Sequence, residues 1–586
     1  MRLTNTLLLG VLVLFCTGGF VQNSVLAEDA PSSTTSKLNG KTIRNIEIVV
    51  NDIFEHPDNA VYRTANQLKI NTKKEIVKRE LLFKEGGTYD HFLIEESERV
   101  LRRQKYLRAV NISTKEDGDF VDVLVSVQDT WTFIPQLGYS TGDGRKRYSA
   151  GVSENDLLGL GKRVEALYED DDGRNSMEGV YEDPRVLGSD YRSVGALFHR
   201  SDGDRGIFLL DKPFRSLLDK EGWSFSGDLG DTVGRLFRNG DERYIFRQDR
   251  VDLSFRYTTA SGDPETNLRR YSVGWDYHEA IFDDADLDDY DDVNVDPTSV
   301  EQGPGLLAED RRYNGPSLNY QHIEQDFVSM NYIDRFERVE DYNLGDDFSV
   351  NMQVAPEFLG SKEDALLFSA NRSHGYRFTA ASFVRGEVGL ATRRSTNEFE
   401  DSLLRGELKY YNVLGNLRVS NLSLGRHTLA YSLFMDYGNK LDKEREFLIG
   451  GDNAVRGYKA RTFTGDKRYA LNLEDRIHLV DDAFDLVSFG AAFFLDVGGA
   501  TTRPLGALFS DETYSDVGFG LRFAFPRSSG ERVLRVDIAL PLRDGPDGSG
   551  AYEPRFLISG GQLFGSRLRS ESLGPEKASV EVGFDR

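Results

Sequence analysis

Short segments in which apolar and polar residues alternate one by one constrain this chain more than any other feature. At residues 517–525 every second residue is apolar, and glycine, arginine or alanine lies between them. Residues 429–437 and 534–542 repeat the pattern. A strand sends successive side chains to opposite faces of its sheet. Each segment therefore predicts a strand with one apolar and one polar face.

The apolar faces of these strands need a cover, which is either lipid or a second sheet. Stacked soluble β-sandwiches are the alternative to a membrane barrel. In lipid, an open sheet edge costs several kcal/mol for each unpaired backbone group, so the sheet must close. At about 25–30 residues per strand and turn, residues 133–564 predict a mainly β fold, a transmembrane antiparallel β-barrel of about 16 strands.

The N-terminus has the pattern of a secretory signal peptide. Arg2 precedes an apolar run at residues 7–15, and Ala27 ends a small-residue cleavage pattern. The alternative, a membrane anchor, would need about 20 apolar residues. Residues 1–27 are therefore predicted to be removed. Cys16, the one cysteine of the chain, would leave with them, so we expect neither a disulfide nor thiolate chemistry.

The balance of charge limits the classes of partner. The chain carries a formal net charge of -24 at pH 7. Nucleic-acid binding needs a basic surface that releases counterions from phosphates, so this class of function is excluded. The acidic excess fits solvated loops outside a membrane-spanning sheet.

A segment with mixed strand and helix patterns precedes the predicted barrel, after a polar linker at residues 28–41. The predicted elements are strand 43–50, helix 73–83, helix 90–104, strand 108–114 and strand 120–128. Asn71 or Thr72 is predicted to cap the first helix and Asp90 the second. Residues 42–130 therefore predict one small α+β domain of order β-α-α-β-β.

Two phrases in this segment resemble a POTRA domain, the periplasmic module of the BamA/TamA superfamily of outer-membrane proteins. They are IVKRELLFKEGGTYD at residues 76–90 and ESERVLRRQKYLRAV at residues 96–110. The resemblance implies that the module binds extended client or partner segments by strand addition, in which backbone hydrogen bonds give affinity and alternate side chains give selectivity. The alternative is that it only spaces the barrel from the periplasm.

The most specific motif has four residues, Val455, Arg456, Gly457 and Tyr458. It resembles the signature of the long loop that folds into the barrel lumen in the BamA/TamA superfamily. A guanidinium in a narrow, partly dry lumen needs an acidic partner. The segment FLDVG at residues 494–498 resembles the partner strand, so Asp496 is predicted to form a salt bridge with Arg456. The alternative is an ordinary lumen salt bridge without a mechanistic role.

Glycines beside this predicted pair would let loop and wall approach closely, because they carry no side chain at the contact. They are Gly457, Gly498 and Gly499. The resemblance to the superfamily extends to NDLLGLGK, LNLEDRI and RVDIALPL, which begin at Asn155, Leu471 and Arg535. It therefore covers most of the mature chain.

The end of the chain departs from the usual pattern of these barrels. Phe564 has the place of the terminal aromatic residue, yet the chain continues to Arg586. Residues 565–586 are predicted to be a tail. The alternative is that residues 580–584 supply a short final strand.

Other candidate sites for chemistry have weak support. The Asp-rich residues 282–297 lack the glycine and terminal glutamate of an EF-hand, so a solvated loop is favoured over a calcium site. The eight histidines form no pair at metal-ligand spacing, and no G-x-S-x-G elbow or P-loop is present. We predict no metal, no cofactor and no enzymatic activity. Trp131, Trp223 and Trp275 are interpreted as membrane-interface anchors.

The resemblance implies a function at the outer membrane, with the POTRA domain in the periplasm. We predict an assembly factor that assists insertion or translocation of unfolded outer-membrane or secreted client proteins. Its other expected partners are outer-membrane lipid and periplasmic or lipoprotein accessory proteins. A client strand would add to a weak seam between the first and last strands, which Gly560 and Gly561 would weaken. The alternatives are a two-partner-secretion translocator, a passive pore and a lipid-delivery barrel.

Overall fold

A computed structural model describes most of the chain. The described residues are 38–55, 57, 60–140, 147–171, 174–303, 305–395, 398–420, 422–451, 453–529 and 533–560. Several predictions lie outside them: the signal peptide at 1–27, most of the linker, Gly561, Phe564 and the tail at 565–586 with its alternative strand.

The first part of the described chain is a small α+β domain. Its elements are β1 (Thr42–Asn51), α1 (Ala60–Leu68), α2 (Lys74–Arg79), α3 (His91–Arg102), β2 (Leu107–Asp117) and β3 (Phe120–Asp129). β3 is the central strand of the sheet, parallel to β1 and antiparallel to β2. Ile43, Tyr89, Leu101 and Val125 lie in one buried core between sheet and helices. The predicted strands and both predicted helices are present, but α2 ends at Arg79 and not at Phe83.

This domain also has a helix that the sequence pattern does not predict. None of the residues of α1 is buried, and its apolar residues Val61 and Leu68 are each 71% exposed. The predicted cap of α2 is wrong. α2 begins after Lys73, which makes no side-chain cap hydrogen bond. The Thr72 hydroxyl does not cap the helix either, because it donates to Asp129 and Asp156. Asp90 caps α3 as predicted, by accepting from the backbone of Phe92.

The rest of the described chain forms a β-barrel in which neighbouring strands are antiparallel and β27 lies next to β4. Its strands are β4 (Phe133–Ser140), β5 (Arg147–Glu154), β6 (Arg163–Asp171), β7 (Arg174–Asp183), β8 (Arg192–Arg200), β9 (Gly203–Lys212), β10 (Glu221–Arg238), β11 (Asp241–Asp263), β12 (Asn267–Asp284), β13 (Arg311–Glu324), β16 (Asp347–Ala355), β17 (Ala365–Thr379), β18 (Ser382–Ser395), β19 (Glu398–Val419), β20 (Leu422–Asn439), β23 (Lys467–Ala483), β24 (Val487–Thr501), β25 (Tyr514–Ala524), β26 (Leu534–Pro541) and β27 (Arg555–Gly560).

Two hairpins lie outside this sheet. They are β14 (Phe327–Met330) with β15 (Glu340–Asn343), and β21 (Phe447–Ile449) with β22 (Phe463–Gly465). Two short helices, α4 (Leu287–Asp292) and α5 (Leu505–Leu508), lie in loops between barrel strands.

The strand count differs from the prediction of about 16. Within the described residues the barrel sheet has twenty strands. The difference arises early in the barrel, where six strands of eight to ten residues fit between Phe133 and Lys212. Short strands with tight turns need far fewer residues than the assumed average of about 25–30.

The alternation of faces is confirmed. On β25 the side chains of Asp516 and Arg522 are buried, whereas Phe519 and Leu521, which point the other way, are 38% and 42% exposed. The apolar face therefore lies outside and the polar face lines the lumen. Trp275 is also exposed on the outside. Among the described residues, no helix is both long and apolar enough to cross a membrane.

Candidate functional site

The long connection between β20 and β23, residues 440–466, folds back against the inner wall of the barrel. We call it the lumen loop. Val455, Arg456 and Tyr458 are at most 1% exposed. Val455 and Tyr458 pack in one buried cluster with Phe434 and Ala470 of the wall. The VRGY motif is therefore enclosed between loop and wall.

Arg456 donates hydrogen bonds to two carboxylates, and a third, that of Asp537, lies 3.6 Å from its Nη1. Its Nε and Nη2 donate to the two carboxylate oxygens of Asp496 at 2.7 and 2.9 Å. Its Nη1 donates to Glu474 Oε1 at 2.7 Å, and its guanidinium lies 3.4 Å from the ring centroid of Phe494. Bidentate pairing fixes both position and orientation of a guanidinium. The structure thus brings Arg456 and Asp496 together; the role of this pair in function stays a prediction.

The other members of this network are residues that the sequence pattern did not predict. Glu474 also accepts from Arg476 Nε at 3.0 Å, and Asn472 donates to Asp496 at 2.8 Å and to the backbone of Ala454 at 2.7 Å. Asn472, Glu474 and Arg476 alternate along β23, so the LNLEDRI phrase already carried the signal. Polar residues at every second position of a barrel strand face the lumen.

Tyr458 and Gly457 attach the lumen loop to β25 and β26. The Tyr458 hydroxyl donates to the backbone oxygens of Ser515 and Arg543 at 3.2 and 3.0 Å. A Cβ on Gly457 would lie 2.6 Å from Asp516 Cβ, closer than side chains approach. A glycine is therefore required where the loop meets the wall.

Gly498 and Gly499 do not have the predicted contact with the lumen loop. A Cβ on Gly498 would meet the backbone of Tyr469 on the neighbouring strand, and one on Gly499 would meet the backbone of Glu512. These two glycines therefore make room for β23 and for the loop after β24. The prediction followed from sequence proximity to Asp496. Gly499, three residues from Asp496, points to the opposite face of the strand.

Two turns of the barrel grip the two ends of α2. They are residues 155–162, between β5 and β6, and residues 184–191, between β7 and β8; we call them the turn clamp. Lys73 N donates to Gly159 O at 3.0 Å. At the other end, Arg185 donates to Arg79 O at 3.1 Å and to Glu80 at 2.9 Å. The barrel thus holds the preceding domain by both ends of one helix.

A buried polar group lies at the first turn of the clamp. Lys69 Nζ is 3.3 Å from both Asp129 and Asp156. Asp156 also accepts from Thr72 Oγ1 at 2.9 Å and from Gly161 N at 2.6 Å. Burial raises the pKa of the Asp156 carboxyl above its ordinary value. Two carboxylates here share one cation.

The Asp-rich run forms a local structure. Asp286 and Asp289 make a reciprocal capping box at the start of α4, and Asp289 pairs with Arg247 at 3.0 Å. No group of three or more histidine, cysteine, aspartate or glutamate side chains is arranged to hold a metal ion in the part of the chain that the structure describes.

Comparison with protein families assigns the chain. A model described as the Omp85 superfamily domain matches residues 156–564. A second, described as POTRA, surface antigen variable number repeat, matches residues 68–129. The chain belongs to the Omp85 superfamily. This result confirms the resemblance to the BamA/TamA group. Omp85 proteins are non-enzymatic proteins of the outer membrane that insert or translocate other proteins, with POTRA domains in the periplasm.

Comparison with solved structures returns other members at low similarity. BamA from Haemophilus ducreyi lacking POTRA domains 1–3 is 12% identical with a TM-score of 0.36, covering 89% of this chain and 84% of that one. CdiB from Escherichia coli is 12% identical with a TM-score of 0.44, covering 91% and 79%. Similarities this weak add nothing to the family assignment. In a comparison with curated protein sequences, none matches this chain.

Proposed function

We propose that this Omp85 protein is an assembly factor that helps unfolded β-barrel clients enter the outer membrane at its own seam. The mature chain would comprise a linker at 28–41, a POTRA domain at 42–130, a barrel at 131–564 and a tail at 565–586. The POTRA domain would receive client segments by strand addition. A client strand would then pair with a barrel edge that opens between β27 and β4.

The short strand beside the seam is the observation that carries the proposal. β26, which pairs with β27, has eight residues, whereas β23 and β24 have 17 and 15. Short strands share few backbone hydrogen bonds with their neighbours, so less free energy is needed to open the sheet here than between longer strands. A client strand can satisfy the freed backbone groups, which lipid cannot.

Contacts at the periplasmic mouth count against a passive pore. The POTRA domain reaches turns on different sides of the barrel. Arg527 donates to Ile53 O at 2.8 Å, Leu217 N donates to Glu96 at 3.2 Å, and the turn clamp holds α2. A solute would have to pass these contacts before it met the lumen loop. A domain held at several points of the rim suits a protein that opens for a client.

The test is assisted folding. A small barrel protein unfolded in urea is added to liposomes that contain this protein, and its folded fraction is followed over time. Arg456→Ala removes the anchor of the lumen loop. Arg205→Ala is the matched control, because Arg205 forms a bidentate pair with Asp228 at 2.8 and 2.7 Å between neighbouring wall strands. Liposomes without protein give the background.

We expect the wild type and Arg205→Ala to accelerate folding of the client and Arg456→Ala to lose most of the acceleration. Equal rates with and without the wild type, given a correctly folded barrel, would refute the assembly factor. The two-partner-secretion translocator would then be tested by cosecretion of a dedicated substrate, and a pore by solute flux through the same liposomes.

A further inference from the structure

A hairpin at the periplasmic end of the barrel enters the lumen from the side opposite to the lumen loop. It comprises residues 325–346, between β13 and β16, and contains β14 and β15. We call it the hairpin insert. Other connections at this end are short, such as residues 264–266 between β11 and β12. The sequence pattern did not predict the insert.

The insert is packed into the lumen by apolar contacts. Its residues Val328, Met330, Ile333 and Leu344 form one buried cluster with wall residues Phe383, Tyr411, Val413 and Ala430. Ile333 is fully buried. On the wall, a Cβ at Gly375 would lie 2.9 Å from Leu344 Cα. The absence of a side chain at Gly375 therefore makes room for the insert.

The tip of the insert joins the network around Arg456. Arg476 Nη1 donates to Ile333 O at 2.7 Å and to Asp334 Oδ1 at 2.9 Å. The Nε of the same guanidinium donates to Glu474, whose other oxygen accepts from Arg456. A continuous chain of charge-assisted hydrogen bonds thus runs from the insert to the lumen loop. Such bonds are stronger than neutral ones.

Arg338, in the same loop of the insert as Ile333 and Asp334, holds the end of α3 in the POTRA domain. Arg338 Nη2 donates to the backbone oxygens of Leu107, Arg102 and Gln104 at 2.7, 3.3 and 3.4 Å. These carbonyls lie at and after the C-terminus of α3, where a cation is favoured. In addition, Arg102 donates to Asp341 at 3.1 Å.

We propose that the hairpin insert transmits displacement of the POTRA domain to the lumen loop. When a bound client shifts α3, Arg338 and Asp341 move with it. The insert then withdraws from Arg476, and the Arg456 network loses one of its supports. This coupling goes beyond the proposed function, because it holds whichever protein is the client. Movement of the POTRA domain would then control both the hairpin insert and the lumen loop.

Thiol labelling without a client tests the coupling. Cys16, the only cysteine of the chain, is replaced by serine, and Val455→Cys places a reporter thiol in the buried lumen loop. The full chain in liposomes is treated with a small water-soluble maleimide, alone and with Arg338→Ala. Arg185→Ala is the matched control. It removes an arginine that also binds the POTRA domain from a periplasmic turn, but outside the insert.

We expect the reporter thiol to be labelled about tenfold faster in Arg338→Ala than in the parent, because lost charge-assisted hydrogen bonds raise the population of the released state. Arg185→Ala should label at the parental rate. An unchanged rate in Arg338→Ala, or equal acceleration in both variants, would overturn the proposal, since the second result means that any loosening of the POTRA domain exposes the loop. If Arg338→Ala does not fold, Asp341→Asn is measured by the same criteria.

Discussion

The lumen network and the first turn of the clamp both bury charged groups, but they balance charge differently. In the lumen network, Asp496 receives two hydrogen bonds from the fork of Arg456, and Glu474 lies between Arg456 and Arg476. At the clamp, by contrast, Asp129 and Asp156 share the single cation of Lys69. Asp496 and Glu474 are therefore each paired with a guanidinium, whereas the two clamp acids have one cation between them.

This difference indicates which of the two attachments is harder to release. Buried ions are costly unless every charge has a partner and its remaining donors or acceptors are satisfied. Loss of one partner in the lumen network leaves an uncompensated charge, so the loop stays in place unless several groups move together. At the clamp, loss of one acid charge leaves Lys69 with the other acid. The POTRA domain is therefore held by contacts that release more easily.

The largest effect is expected from Asp496→Ala. The change leaves the Arg456 guanidinium buried with Glu474 as its main partner and should destabilise the barrel by about 3–5 kcal/mol. Unfolding in urea, followed by tryptophan fluorescence in detergent micelles, measures the shift. Asp228→Ala is the control, because Asp228 pairs with Arg205 in a partly exposed wall site.

We expect Asp228→Ala to lower the stability by about 1 kcal/mol, because the pair keeps contact with solvent and loss of one partner is less costly there. Equal losses in the two variants would contradict the comparison, because the buried network would then be no better matched than a wall salt bridge.

The same contrast explains what the sequence could predict. Alternation predicted the faces of β25 and β20, because lipid and lumen impose opposite demands on successive residues. The VRGY motif and the FLDVG segment predicted the salt bridge between Arg456 and Asp496, because an arginine in a narrow lumen needs an acidic partner. Glu474 was not predicted as a partner of Arg456, although it lies in the recognised segment LNLEDRI. The resemblance identified the segment but did not show which of its residues face the lumen.

Features that depend on contacts between distant segments, and that carry no recognised motif, were not predicted. The hairpin insert packs by residues such as Ile333 and Leu344, which show no helix or strand period of useful length. Thr72 was predicted as a helix cap because local hydrogen bonding is the common role of threonine before a helix. Its true partners, Asp129 and Asp156, lie 57 and 84 residues away.

A smaller effect is expected from Gly457→Ala. The new methyl group would lie 2.6 Å from Asp516 Cβ, and such overpacking typically costs about 1–3 kcal/mol. The same urea unfolding measures it. Gly406→Ala on β19 is the matched control, because a Cβ there would meet nothing within 4 Å. A Gly457→Ala barrel as stable as Gly406→Ala would mean that the loop can retreat from the wall at little cost, which would remove the contrast with the clamp.

The smallest effect, and one of opposite sign, is expected from Asp156→Asn in the turn outside the membrane-spanning strands. The raised pKa of Asp156 means that docking disfavours its charged form, so the docking free energy it contributes is present at low pH and is lost as the pH rises through that pKa. Asparagine keeps the oxygen that accepts from Gly161 N and carries no charge. At pH 7 the variant should protect the α2 amides from hydrogen exchange more strongly than wild type, by less than about 1 kcal/mol, and the gain should shrink on acidification.

Thr72→Val is the control. It removes a donor without changing charge and should reduce protection of the α2 amides at both pH values. If Asp156→Asn also reduced protection at pH 7, the carboxylate charge would be supporting the clamp, and the two sites would balance their charges alike.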